Sequence, residues 1–244
     1  MLDKPTSWFF VYIVESPSAP DVYHGRSERE VLQQALSLAC IHSASHSAIS
    51  REAFCAALDI GLKHEIGRLA PLSPLLHISS HGDTNGVQLS SGERITWEEL
   101  AELLAPVNTA LNSRLVISMS CCEGYSGIRM AMKTDDSPLP FYALIGSSQK
   151  PVWSETAIAF AVFYHRLAKG AHIREAVEAM NIATGCNHFH VQWAEESKKG
   201  YLEFLKSYNP FTAQQQLAAA ASAREAGELQ KIKPIHFSPA RPAA

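Results

Sequence analysis

Apolar positions along the chain fall into two alternating rhythms. Phe9 to Val14 is a short aromatic and β-branched run ended by Ser-Pro-Ser-Ala-Pro, which reads as a buried strand. Ser27 to Leu38 then carries Val31, Leu32, Ala35, Leu36 and Leu38 at helical spacing. A second helix is expected from Ser50, an N-cap with Glu52 in the first turn, to about Leu69, before Pro71 and Pro74. Leu75 to Ser79 is the next strand, with His81-Gly82 at its C-terminal end. Gly86 to Ile95 reads as a small hairpin. Thr96 and Glu99 have capping-box spacing at the head of a helix through Leu104. Leu115 to Ser120 is a third strand, followed by Cys121-Cys122-Glu123-Gly124 and a short helix to about Lys133. After an exposed loop from Thr134 to Pro140, Phe141 to Gly146 forms a fourth strand. Helices follow at Ala157–Lys169 and Ile173–Thr184, with further helical stretches near Gln192–Tyr208 and Ala213–Lys231.

Strands that alternate with helices, each nearly continuously apolar, predict an α/β fold: three layers, with a mostly parallel central sheet covered on both faces. One domain is expected over residues 1–231, with a Pro-rich tail at 232–244. Open sheets of this kind place their sites outside the carboxyl ends of the strands. His81 and Cys122 both fall there.

Composition narrows the chemistry. The chain of 244 residues is 46% hydrophobic, enough for one substantial core, and its formal charge of −3 gives no nucleic-acid or membrane footprint. The apolar run Trp8 to Val14 is far too short for a membrane span. Five scattered cysteines, an odd number with two adjacent, do not make a disulfide framework and predict a cytoplasmic, reducing location.

A cysteine and a histidine at neighbouring strand ends suit nucleophilic catalysis. Imidazole accepts the thiol proton near neutral pH and returns it to a leaving amine. Gly82 admits close backbone approach, and Gly124 eases the turn after Cys122. His77 reads as a structural residue within the sheet or its helix layer. Cys186, His188 and His190, taken with Cys40, His42 and His46, match no zinc spacing, and Asp83-Thr84-Asn85-Gly86 is only a fragment of a calcium loop. No metal or other cofactor is implied.

The stretch from Leu75 to Gly82 resembles the strand-then-His-Gly block of the caspase-like (clan CD) cysteine peptidases, closest to their bacterial CHAT branch. Val116 to Gly124 resembles their second block, a strand followed by small-residue-Cys-x-Gly, in which Ser120-Cys121-Cys122-Glu123-Gly124 stands where caspases have Gln-Ala-Cys-Arg-Gly. Phe141 to Ser148, then Pro151-Val152-Trp153, and the pair Phe163-Tyr164 with Leu167 and Gly170, resemble the pattern that follows. Cys122 lies 41 residues after His81, against about 50 in caspases.

The resemblance implies a caspase-like fold and a cysteine endopeptidase working through a His81–Cys122 dyad, with an oxyanion hole from the backbone N–H groups of Gly82 and Cys122. Cys121 is the alternative nucleophile after a one-residue slip. Ser120, Arg26, Asp83, Ser147, Ser148, Lys150 and Trp153 are candidate substrate-binding residues. Arg26 and Lys150 would favour an acidic substrate residue, whereas Asp83 and Glu155 would favour a basic one. The resemblance further implies a protein or peptide substrate, an activating partner protein, and a place in a bacterial antiviral defence system. Self-processing in the Lys133–Pro140 loop is a further expectation. The competing reading is a catalytically silent interaction module of the same fold.

Overall fold

In the computed structural model the described residues are 7–208. The chain divides into two compact units, Met1–Leu202 and Glu203–Ala244. Of the second, only residues 203–208 are described. The expected Ala213–Lys231 helix and the 232–244 tail lie outside the described residues.

The order of elements is β1 (Phe9–Ser16), α1 (Ala19–Tyr23), α2 (Glu28–Leu38), β2 (Ser43–Ser47) and α3 (Arg51–Ala56). A wider π-turn segment (Ala57–Leu62) continues α3 directly into α4 (Lys63–Leu69). Then come β3 (Ser73–Asp83), β4 (Gly86–Gln88), β5 (Arg94–Thr96), α5 (Trp97–Ala110), β6 (Val116–Ser120), a 3₁₀ segment (Gly124–Ala131) and β7 (Ala143–Ser147). The order closes with α6 (Trp153–Ala168), α7 (Ile173–Thr184), β8 (Phe189–Trp193) and α8 (Ala194–Ser207).

The main sheet runs β2-β1-β3-β6-β7-β8. All pairings along it are parallel except β7 with β8. The fold is therefore the α/β sandwich with a mostly parallel central sheet that the strand–helix alternation predicts. Side-chain alternation along the strands sends Phe10, Tyr12, Val14, Leu76, Ile78, Ile117 and Met119 into one core, shared with α3, α4 and α5. Phe9, Val11, Ile13, Leu75 and Val116 enter the other, shared with α2, α6 and α7. Both faces are covered, as a parallel sheet requires.

Four elements differ from the sequence reading. β2 is a polar edge strand, Ser-Ala-Ser-His-Ser, with no hydrophobic signal because it is only partly covered. β8 occupies a stretch given no element before the expected Gln192–Tyr208 helix, takes its first two residues, and pairs antiparallel to β7. Ser-Pro-Ser-Ala-Pro, read only as a strand terminator, instead starts α1: Ser18 caps Asp21, with Pro20 in the first turn. β3 also runs past the expected end, and His81 and Gly82 pair with Gln88 and Val87 of the hairpin. Among the described residues, no helix is long and apolar enough to cross a membrane.

Candidate active site

Ser79 of β3 and Ser120 of β6 form the last pair between these two central strands. His81 and Cys122 each follow two residues later, so the two chains deliver them to one rim of the sheet. Both line a single cavity of about 480 Å³. Its other walls include Arg26, Ser120, Pro151, Trp153 and Thr156. The ring of Trp153 stands edge-on to the His81 imidazole, with centroids 6.2 Å apart.

Alternation also separates the adjacent thiols. Cys121 follows Met119 into the core shared with α5 and is 4% exposed, although an edge of it reaches the cavity wall. Burial first, then the charges of Cys122, Glu28 and Asp83, push its pKa far up. Cys122 is half-buried and open to the cavity. Burial raises its pKa above the ordinary thiol value, opposed by the positive charge of Lys150 and by its own backbone N–H, and reinforced by Glu123.

The turn that carries Cys122 is tightly built. Glu123 adopts the left-handed conformation (φ 55°, ψ 24°), which a non-glycine residue holds only at a price in strain, and its N–H bonds the Gln149 carbonyl at 2.7 Å. A Cβ on Gly124 would lie 2.8 Å from the Met119 carbonyl oxygen, and one on Gly146 would lie 2.7 Å from the Tyr125 nitrogen. A Cβ on Gly82 would meet the Cys121 sulfur at 3.1 Å. Backbone atoms thus exclude a side chain at Gly124 and Gly146, where the cysteine turn and β7 close on one another, and at Gly82 of the histidine strand one would crowd Cys121.

Two acidic residues absent from the sequence reading support the site. Asp21, 4% exposed, lies 3.0 Å from His81 Nε2 through Oδ2, and its Oδ1 lies 3.2 Å from Arg26 Nε. Burial works to raise the Asp21 carboxyl, but hydrogen bonds from Ser18 and His81, together with the His81 charge, outweigh it and hold the pKa below the usual carboxylate value. Asp21 is therefore ionised and accepts, His81 Nε2–H donates, and Nδ1 is left without a proton when the ring is neutral. The only local sign of Asp21 was its capping spacing after Ser18.

Glu28, the first residue of α2, has a fully buried side chain. Its oxygens accept from Ser79 Oγ at 2.7 Å and from Ser120 Oγ at 2.7 and 2.9 Å, tying β3 to β6 two residues before His81 and Cys122. His77 is fully buried beside it, with Nδ1 2.9 Å from the Tyr164 hydroxyl, in the structural setting expected of it.

Of the candidate substrate-binding residues, Arg26, Ser120 and Trp153 line the cavity. Asp83 is not in its wall and is held by Arg94 at 2.7 Å and by the Asn85 N–H. Ser147 is buried against His188, and Ser148 contacts His190. Lys150 lies outside the wall but acts electrostatically on the Cys122 sulfur. Among the described residues, no group of three His, Cys, Asp or Glu side chains is placed to hold a metal ion.

No family model and no curated relative matches the chain. Among solved structures, it is similar to the crystal structure of the Arg-specific cysteine proteinase gingipain R (RgpB), with 13% identity over 75% of this chain and 44% of that one and a TM-score of 0.45. It is also similar to the complex of Porphyromonas gingivalis RgpB pro- and mature domains, with 12% identity over 78% of this chain and 48% of that one and a TM-score of 0.47. The chain spans less than half the length of these structures. At such values the likeness assigns a role to no residue, and the site rests on its own geometry.

Proposed function

We propose that the chain is a cysteine endopeptidase in which Cys122 attacks the peptide carbonyl and His81 moves the protons. The observation that carries this reading is the arrival of an imidazole and a partly exposed thiol, from separate strands, in the wall of one cavity. A buried carboxylate behind the imidazole supports it.

Because burial keeps the Cys122 thiol protonated at neutral pH, attack requires a base. With Nε2–H committed to Asp21, the unprotonated Nδ1 of His81 takes the Cys122 proton as the sulfur bonds to the carbonyl carbon. Backbone N–H groups of Gly82 and Cys122 receive the oxyanion. The imidazolium, stabilised by Asp21, then protonates the leaving amine as the C–N bond breaks. Water hydrolyses the resulting thioester with the same histidine as base. Asp21 is a positioning residue in this scheme and extends the expected dyad.

The wider setting follows from the resemblance of the His81-Gly82 and Cys122-x-Gly124 blocks to the CHAT branch: a specific protein substrate, control by an activating partner, and a role in bacterial defence. Five unpaired thiols fit a reducing compartment such as the cytoplasm.

The test is labelling of the full chain with a peptide-based electrophile, with mass spectrometry locating the modified cysteine, alongside cleavage of a peptide library. Labelling at Cys122, and loss of cleavage in folded Cys122→Ala and His81→Ala, are expected. Modification confined to Cys121 would reassign the nucleophile. Absence of both labelling and cleavage, with candidate activating partners present, would replace the enzyme with an interaction module.

A further inference from the structure

His81 also borders a second hollow, of about 320 Å³, formed with Ser16, Ser18, Ala19, Gln88 and Ser90 among its walls. The two hollows share His81 and no other lining residue, so this residue stands where they meet. We propose that this second hollow is a substrate subsite, receiving a short, uncharged, hydrogen-bond-donating side chain such as that of serine, threonine or asparagine. This deepens the peptidase reading and rests on it. A peptide whose scissile bond lies against His81 and Cys122 extends to both sides of them, and a wall shared by two hollows lets one residue enter each.

The second hollow is a built feature. Ser16, at the end of β1, and Ser90, in the β4–β5 turn, are joined by the Ser90 N–H donating to Ser16 Oγ at 2.9 Å. Ser16 Oγ in turn donates to the Ala48 carbonyl, and Ser90 Oγ to the Pro17 carbonyl. The Ser18 hydroxyl donates to Asp21, the same carboxylate that holds His81. The loop after β1 and the hairpin are therefore fastened together before any ligand arrives.

The same bonds define what the walls offer. All three hydroxyl protons are used within the protein; Ser16 is 2% exposed and its oxygen already accepts from Ser90, so the half-buried Ser18 and Ser90 oxygens hold the accessible acceptor capacity. The Ser18 and Ser90 oxygens thus present acceptors, and the Gln88 amide offers an acceptor and donors, which suits a short side chain able both to donate and to accept. Apart from His81, no ionisable side chain lines the hollow, in contrast to the Cys122 cavity with Arg26. A charged ligand side chain would be desolvated there without a partner.

The experiment sequences the products when the full chain cleaves a randomised peptide library, reading the residues on both sides of the broken bond. Iodoacetamide labelling of Cys122 in the same wild-type preparation shows that the thiol is reactive. Serine, threonine or asparagine should be enriched about 10-fold over charged and large aromatic residues on one side of the bond. Ala19→Trp, which fills the hollow from the first position of α1, should reduce that enrichment and raise the relative use of glycine there, with a melting curve confirming the fold. Cleavage without such a preference, or an unchanged profile in Ala19→Trp, overturns the subsite and leaves the peptidase standing. With candidate activating partners present, reactive Cys122 without cleavage of any peptide, or no labelling at all, overturns the peptidase reading and the subsite with it.

Discussion

His81 Nε2 and Asp21 Oδ2 lie 3.0 Å apart, joining the far end of β3 to a helix of only five residues that follows β1. The contact places an ionised, almost buried carboxylate behind the imidazole. It fixes which ring nitrogen bears the proton, and therefore which one is free to accept.

Asp21→Asn keeps the volume of the side chain but removes the charge and allows the ring to be held in the wrong tautomer. We expect kcat to fall about 100-fold, with KM changed much less and with an altered pH–rate profile. A purely structural role would not produce that split, and steady-state kinetics across pH tests it.

The same substitution has a signature in stability. The Asp21 pKa is depressed on folding from its ordinary 3.8, so its contribution is complete above that value and is lost as pH falls through the lower folded value. The stability advantage of wild type over Asp21→Asn should shrink as pH falls below about 4 and be lost once pH passes the lower folded value. Urea unfolding at a series of pH values measures it.

Reactivity of Cys122 should rise with pH to a midpoint above the ordinary thiol value of 9.0, because burial raises its pKa. Lys150 opposes that rise. Lys150→Glu should therefore move the midpoint further up and slow alkylation at neutral pH, while Glu123→Gln should move it down. The pH dependence of iodoacetamide labelling, read at Cys122 by mass spectrometry, gives both shifts.

Gly146→Ala would place a methyl group 2.7 Å from the backbone nitrogen of Tyr125. Backbone must move, and a loss of about 1–3 kcal/mol in unfolding free energy is expected. The displaced turn also carries Cys122, so electrophile labelling should slow at temperatures where the variant remains folded.

Glu28→Ala would leave the Ser79 and Ser120 hydroxyls without their shared acceptor and open a cavity beneath the strand ends. A destabilisation of about 3 kcal/mol is expected from the lost hydrogen bonds and the void. Ser120→Ala alone should cost less, about 1 kcal/mol, since Glu28 keeps its bond from Ser79. Denaturant unfolding of the two variants decides the order.

Periodicity alone determined the α/β class, the central strands and most of the long helices, because buried parallel strands and amphipathic helices write their burial directly into residue order. It also put His81 and Cys122 just beyond two strand ends, and the Gly82 and Gly124 spacings marked them for chemistry. The polar edge strand β2 left no such mark, since a partly exposed strand has little apolar surface to encode. In contrast, β8 carries the alternation Phe189, Val191, Trp193 of a half-buried strand, in a run too short to stand out beside the helix that follows. Only tertiary structure decided which of Cys121 and Cys122 opens to the cavity, a question of one residue's phase on a strand. It alone brought Asp21 and Glu28 to the site, across 60 and 92 residues of chain to His81 and Ser120. Contacts at such separations depend on strand order and helix placement, which no local pattern of side chains records.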